Sequence, residues 1–342
     1  MTALPVFLRR AEHRHRRLIG AALFRIVLGV SGLEFYLSSY PDRRLLWGPR
    51  GYLPHEAFHR LVEPDWSLYG LNGSTPYFEV LFHLGLAVAA AYTVIGGRLL
   101  TAAHFVLLAS LYMRSPQALD HAHVLARIML PFSVATVTDA YLSPFARRRR
   151  ARLRRAEARP PSVSAMAHNC ALFLMVFQTS AVYLMAGLWK VLDPDWRNGT
   201  AAYYVVHSGL SDTGPVAALA ALWPVTTPLT YGTVALEIGF PFLAASRRRR
   251  VRLALLSAAV SLHVAIAVST PLLNFCLVMI ACDLLVPRDG DYRSLRRGGW
   301  RNHLRRGPRP RERASAEAPS KGPSLPAPRR ASPSETPEPH NP

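Results

Sequence analysis

"MAHNCALFLMVFQTSAVYLMAGLW" occupies residues 166–189 and decides how this chain is read. It contains no Asp, Glu, Lys or Arg, and it is long enough to cross a hydrocarbon layer as one α-helix, which takes about 20 apolar residues. Lys190 and then "VLDPDWRNG" follow at once, a proline-containing stop that a helix cannot pass unbroken. Seven more apolar segments lie outward from it, at 18–39, 76–96, 98–113, 121–142, 225–246, 251–270 and 272–287. The expected fold is all-α: a polytopic integral membrane bundle of about eight transmembrane helices, spanning residues 18–287.

Composition agrees. Half of the 342 residues are hydrophobic, yet the net charge is +20. The arginines fall between apolar segments and in a tail, leaving no compact basic domain to grip a duplex, so nucleic acid is not an expected partner. Membrane lipids are. The basic start, residues 1–17, runs into a full-length span without a small-residue cleavage pattern, so a retained cytoplasmic segment is expected. Cys170, Cys276 and Cys282 all sit in apolar segments, without metal-ligand spacing, and no metal site is expected. Residues 288–342, rich in Pro, Ser and Arg, are expected to form a disordered cytoplasmic tail.

Arginine placement predicts topology. Threading eight spans from a cytoplasmic "RRAEHRHRR" at 9–17 puts "RRRRARLRR" at 147–155, "RRRRVR" at 247–252 and the tail on the same side. Both termini are then cytoplasmic, and the loop 190–224 faces out.

Ionisable groups inside spans are expensive. The candidates are Arg25, Glu34, Glu79, His83, His104, His121, His123, Arg127, Asp139, Glu237 and His263. The structural reading of these is an ion-pair network, for example Arg25 or Arg127 with Glu237. Lys190 stands apart. Of 41 basic residues it is one of two lysines, the other being Lys321. It is either a snorkelling side chain or a site that needs an amine able to lose its proton, which arginine cannot do. Tyr183 lies two turns before it on one helix face, with Gly187 between them leaving room for a flat ligand or a close helix.

The stretch "YLMAGLWKVLDPDWRNGTAAYYVV" resembles the Tyr-x-x-x-Gly-x-x-Lys … Asp-Trp-x-x-Gly signature of the horizontally transferred transmembrane (HTTM) domain. That is the membrane domain of vitamin K-dependent gamma-carboxylases and their bacterial relatives. "LFRIVLGVSGLEFYLSSYPDRRLLWGPRGYLP", "LEIGFPFL" and "SLHVAIAVSTPLLNFCLVMIACDLL" extend the resemblance over residues 15–287. It implies a reduced naphthoquinone of the vitamin K or menaquinone type, with Lys190 as the base that deprotonates it. In the carboxylases oxygen and carbon dioxide then act to carboxylate glutamate. The resemblance places an assisting histidine at His121 or His123. It also implies cofactor-binding roles for Tyr183, Gly187, Trp196, His263 and Arg127.

The carboxylases continue into a large extracytoplasmic region, which is not expected here, so quinone chemistry without carboxylation is the reading drawn. The alternative is an accessory role, similar to the membrane component that matures and exports a sporulation-delaying peptide toxin in bacteria. That role implies a small secreted or membrane-anchored partner protein.

Overall fold

The computed structural model describes residues 14–62, 66–115, 121–158, 162–208 and 221–296, with 214, 218 and 219 between them. The chain divides at 297/298. The second unit, with most of the expected tail, lies outside the described residues, as do residues 1–13.

Among the described residues the protein is helical, without strands. The longer helices are α1 Leu18–Ser38, α2 Thr75–Val94, α3 Arg98–Arg114, α4 His121–Ala135 and α5 Ala146–Glu157. They continue with α6 Val163–Leu192, α7 Trp223–Ala244, α8 Arg249–Ser269, α9 Leu273–Asp283 and α10 Asp289–Arg296. Four of these, α1, α2, α6 and α8, are long and apolar enough to cross a membrane. α4 and α9 are apolar but shorter.

Two expectations are corrected. The fourth apolar segment does not stay helical to 142: α4 ends at Ala135, and Asp139 lies beyond it, 3.2 Å from Arg149 Nε. The folded part does not stop at 287 either, because "DGDYRSLR" forms α10. Its polarity reads as tail, but its carboxylates are docking groups. Asp289 accepts the Ile19 backbone N–H at 2.8 Å, and Asp291 holds Arg252 with both side chains almost fully buried.

α1 is the central helix, packed on α2 and α9. Helix association in lipid rests on close packing rather than on the hydrophobic effect, so small residues matter at the seams. A Cβ at Gly32 would sit 2.7 Å from His104 Cε1, so glycine on α1 leaves the space that the buried His104 ring of α3 occupies. Phe24, Phe35, Tyr36, Phe82, Tyr92 and Tyr112 fill the space around α1.

Arg25 is fully buried on α1, and its expected partner Glu237 is not what holds it. Its guanidinium donates to the carbonyls of Val94, at 3.1 Å, and Leu142. Those are carbonyls at a helix end and in a loop, which lack intrahelical donors and suit a cation.

Arginine-bearing segments at 14–17, 150–154, 247 and 288–293 meet at one end of the bundle. His15 Nδ1 lies 2.9 Å from Glu157 on α5, Asn169 on α6 donates to the Arg14 carbonyl, and Arg17 donates to the Leu285 carbonyl. Lys190 lies at the far end of α6, a helix of 30 residues and so roughly 45 Å long.

Arg252→Met leaves Asp291 buried without its cation. It is expected to cost about 3 kcal/mol and lower the melting temperature of the detergent-solubilised chain. An unchanged melt would show that this tie is idle.

Candidate functional site

The site forms where α6 meets α7, the most extensive helix seam in the fold. α6 starts at Ser162, whose Oγ accepts the Ala165 N–H, and runs without interruption to Leu192. Asp193 then turns extended and caps the short helix Pro194–Arg197 by accepting the Asp195 N–H at 2.8 Å. Pro194 at the first position of that helix makes the break sharp. The turn brings Trp196 back beside the end of α6.

Gly187 sets the spacing. A Cβ there would lie 2.8 Å from Ile238 Cγ1, 3.0 Å from Ile238 N and 3.1 Å from Glu237 Cβ. The room it leaves is filled by a close helix rather than by a ligand. One turn later Lys190 Nζ donates to Glu237 Oε1 at 2.9 Å. The two side chains are 23% and 9% exposed, so the pair is shielded but not sealed. Nζ also lies 4.9 Å from the Trp196 ring centroid, within cation–π range. Lys190 does not snorkel away from the protein; it turns back into the seam.

One turn in the other direction along α6, Tyr183 enters a buried polar cluster. Its hydroxyl lies 2.7 Å from His263 Nε2 on α8 and 3.0 Å from each carboxylate oxygen of Asp283 on α9. Its ring stacks on Phe240, centroids 3.9 Å apart and nearly parallel. A hydroxyl has one proton and two acceptor positions. If it donates to Asp283 it accepts from a His263 N–H; if it donates to His263, Asp283 must be the protonated acid. Three groups on three helices therefore share protons, and moving one moves the others.

The structure thus brings together Lys190, Trp196, Gly187, Tyr183 and His263 along one side of α6. The histidine on α4 is not among them. His123 packs edge-on against Phe35 and Tyr112, at 4.7 and 4.8 Å between centroids. Arg127 lies one turn further on, its Nη1 3.2 Å from Met113 Sδ. No contact among the described residues joins this pair to Lys190, and Arg127 is not the cation that neutralises Glu237. The His121 side chain lies outside the described residues.

Asp283 is the residue that sequence reading missed. Its signal is visible afterwards: one carboxylate within "CLVMIACDLL", at 276–285. Glu237 and Lys190 each stood out in the sequence, but their pairing did not.

No family model, curated protein or solved structure matches this chain.

Lys190→Met should cost about 1–2 kcal/mol by orphaning Glu237, less than a sealed pair because water reaches the ammonium. Adding Glu237→Leu should recover most of that loss. A double-mutant cycle on detergent melts measures the coupling, and a coupling near zero would remove the pair as a structural tie.

Proposed function

We propose that this chain is an eight-span membrane protein of the HTTM type, with both termini cytoplasmic, whose Lys190 acts as a base toward a reduced naphthoquinone. The Lys190–Glu237 pair carries the reading. An ammonium cannot accept a proton; an amine can. The 2.9 Å bond gives the lysine a place to put its proton without leaving the site. Transfer from Nζ to Oε1 converts an ion pair into a neutral amine beside a neutral carboxylic acid. Low dielectric narrows the energy gap between those two states, because it penalises the charged one. Arginine at 190 could pair with Glu237 but could not make the exchange.

The donor set suits a hydroquinone. An amine and a carboxylate can meet its hydroxyls, and the Trp196 indole offers a flat apolar face beside them. Lys190 and Trp196 would hold it, and when bound it supplies reducing equivalents. Lys190 Nζ accepts the proton after Glu237 has taken the first. Tyr183, His263 and Asp283 lie deeper on the same seam and fix the register of α6 against α8 and α9, so their place in this reading is positioning.

Among the described residues eight helices overlap the eight apolar segments of the sequence, and arginines from 14–17, 150–154, 247 and 288–293 gather at one end. Both observations support eight crossings with that end cytoplasmic.

Two measurements test the proposal. Purified chain in nanodiscs should speed the oxidation of a reduced menaquinone analogue by dissolved oxygen, which takes up the two electrons, with Lys190→Arg lowering the rate about 10²–10⁴-fold and Glu237→Gln lowering it in the same direction. Normal turnover by the arginine variant would end the base assignment. A wild type without turnover would leave the accessory role, with its small partner protein, as the reading to pursue. For topology, a cysteine placed at exposed Asn198 should react with an impermeant maleimide from outside intact cells, and one at exposed Ala151 only after lysis. The reverse pattern would invert the orientation.

A further inference from the structure

At the arginine-rich end of the bundle a cavity of about 840 Å³ opens between the segment before α1, helix α5, the start of α6 and the start of α10. It shares no residue with the Lys190 site. Its charge is one-sided: eight arginines line it against two carboxylates.

Both carboxylates are already engaged. Glu157 accepts from the His15 backbone and lies 2.9 Å from the His15 ring, while Asp289 accepts the Ile19 N–H. Glu157 also lies 3.9 Å from Arg14 Nε, but two carboxylates offset at most two of the eight arginines. Some of the arginines are fixed in place. Arg150 donates to the Ala140 carbonyl at 2.7 Å and lies over the Tyr141 ring, and Arg293 donates to the Tyr141 hydroxyl at 3.1 Å. Others are free to turn: Arg154 and Arg247 are exposed and carry no side-chain ion pair among the described residues. The crowding is felt at Arg17, which burial and the neighbouring charges of Arg288 and Arg252 lower to about 10.

One wall is different in kind. On α6 the cavity is lined by buried Leu172, half-buried Val176 and Phe173, which is more than half exposed. A small soluble anion has no use for that wall. A molecule with a phosphate at one end and hydrocarbon at the other uses both.

We infer that this cavity binds an anionic phospholipid, its phosphate-bearing headgroup among the arginines and an acyl chain along Phe173 and Val176. Guanidinium pairs phosphate oxygens in bidentate fashion, and basic pockets between membrane helices suit such headgroups. The lipid would bridge the N-terminal segment, α5 and α10, so it would also bind the ends of the bundle together.

Native mass spectrometry of the full chain in detergent tests this, with phosphatidylglycerol, phosphatidylcholine and inorganic phosphate as probes. The wild type should retain phosphatidylglycerol in preference to phosphatidylcholine. Arg154→Glu with Arg247→Glu should weaken phosphatidylglycerol binding by about twenty-five-fold or more, taking roughly fivefold per arginine. Arg152→Glu with Arg155→Glu makes the same change in net charge on exposed residues that do not line the cavity, and should alter binding less than about twofold. Equal losses in the two double variants would place binding elsewhere and overturn the site. Inorganic phosphate displacing the lipid at equal concentration would assign the cavity to a soluble phosphate and overturn the lipid. Should the first double variant not fold, the wild type decides alone: no preference for phosphatidylglycerol overturns the inference.

Discussion

A guanidinium cannot be left in an apolar interior without acceptors, and this constraint organises the molecule. Arginines outnumber every other charge here, so the chain must carry them to an end of the bundle or give them partners inside. Both solutions occur. Arg25 is held inside by two carbonyls, one at a helix end and one in a loop, and Arg252 by the carboxylate of Asp291. Others collect at one end, where His15, Asn169 and Arg17 tie the N-terminal segment to α5, α6 and the residues after α9, while Arg43 and Arg44 pair with Glu79 beyond the opposite end of α1.

Gathering positive charge at one end has two consequences. It produces a cavity in which eight arginines outnumber two carboxylates, leaving an excess of guanidinium charge for an outside anion. It also leaves the other end of α6 with a single cation in the seam, Lys190, which meets a carboxylate at hydrogen-bond distance. The two sites differ in chemistry for the same reason that arginine differs from lysine. A guanidinium keeps its charge and recognises phosphate geometry; an ammonium beside an acid can hand its proton over.

The α6–α7 seam depends on Gly187. Without a Cβ at that position the backbone of α7 comes close enough for Glu237 to reach Lys190 and for Phe240 to stack on Tyr183. The stack in turn holds the Tyr183 hydroxyl between His263 and Asp283, so four helices are registered against one another by polar groups as well as by packing. Buried polar contacts of this kind act in specification more than in raw stability, because each must be made in one arrangement only.

By itself the sequence determined the helical class, the eight apolar segments, the break at Asp193-Pro194 and the singular status of Lys190. Those properties are local: run length, the missing proline N–H, the position of charges along one chain. Tertiary structure alone decided which acid meets which base. Glu237 could have met Arg25 or Arg127 on grounds of charge, and only the close approach at Gly187 makes Lys190 the partner. It alone revealed that Asp283 joins Tyr183 and His263, that His123 packs instead among Phe35 and Tyr112, and that polar α10 belongs to the folded unit. Pairing depends on distances between helices far apart in the chain, and periodicity along one helix carries no information about which neighbour its polar groups will face.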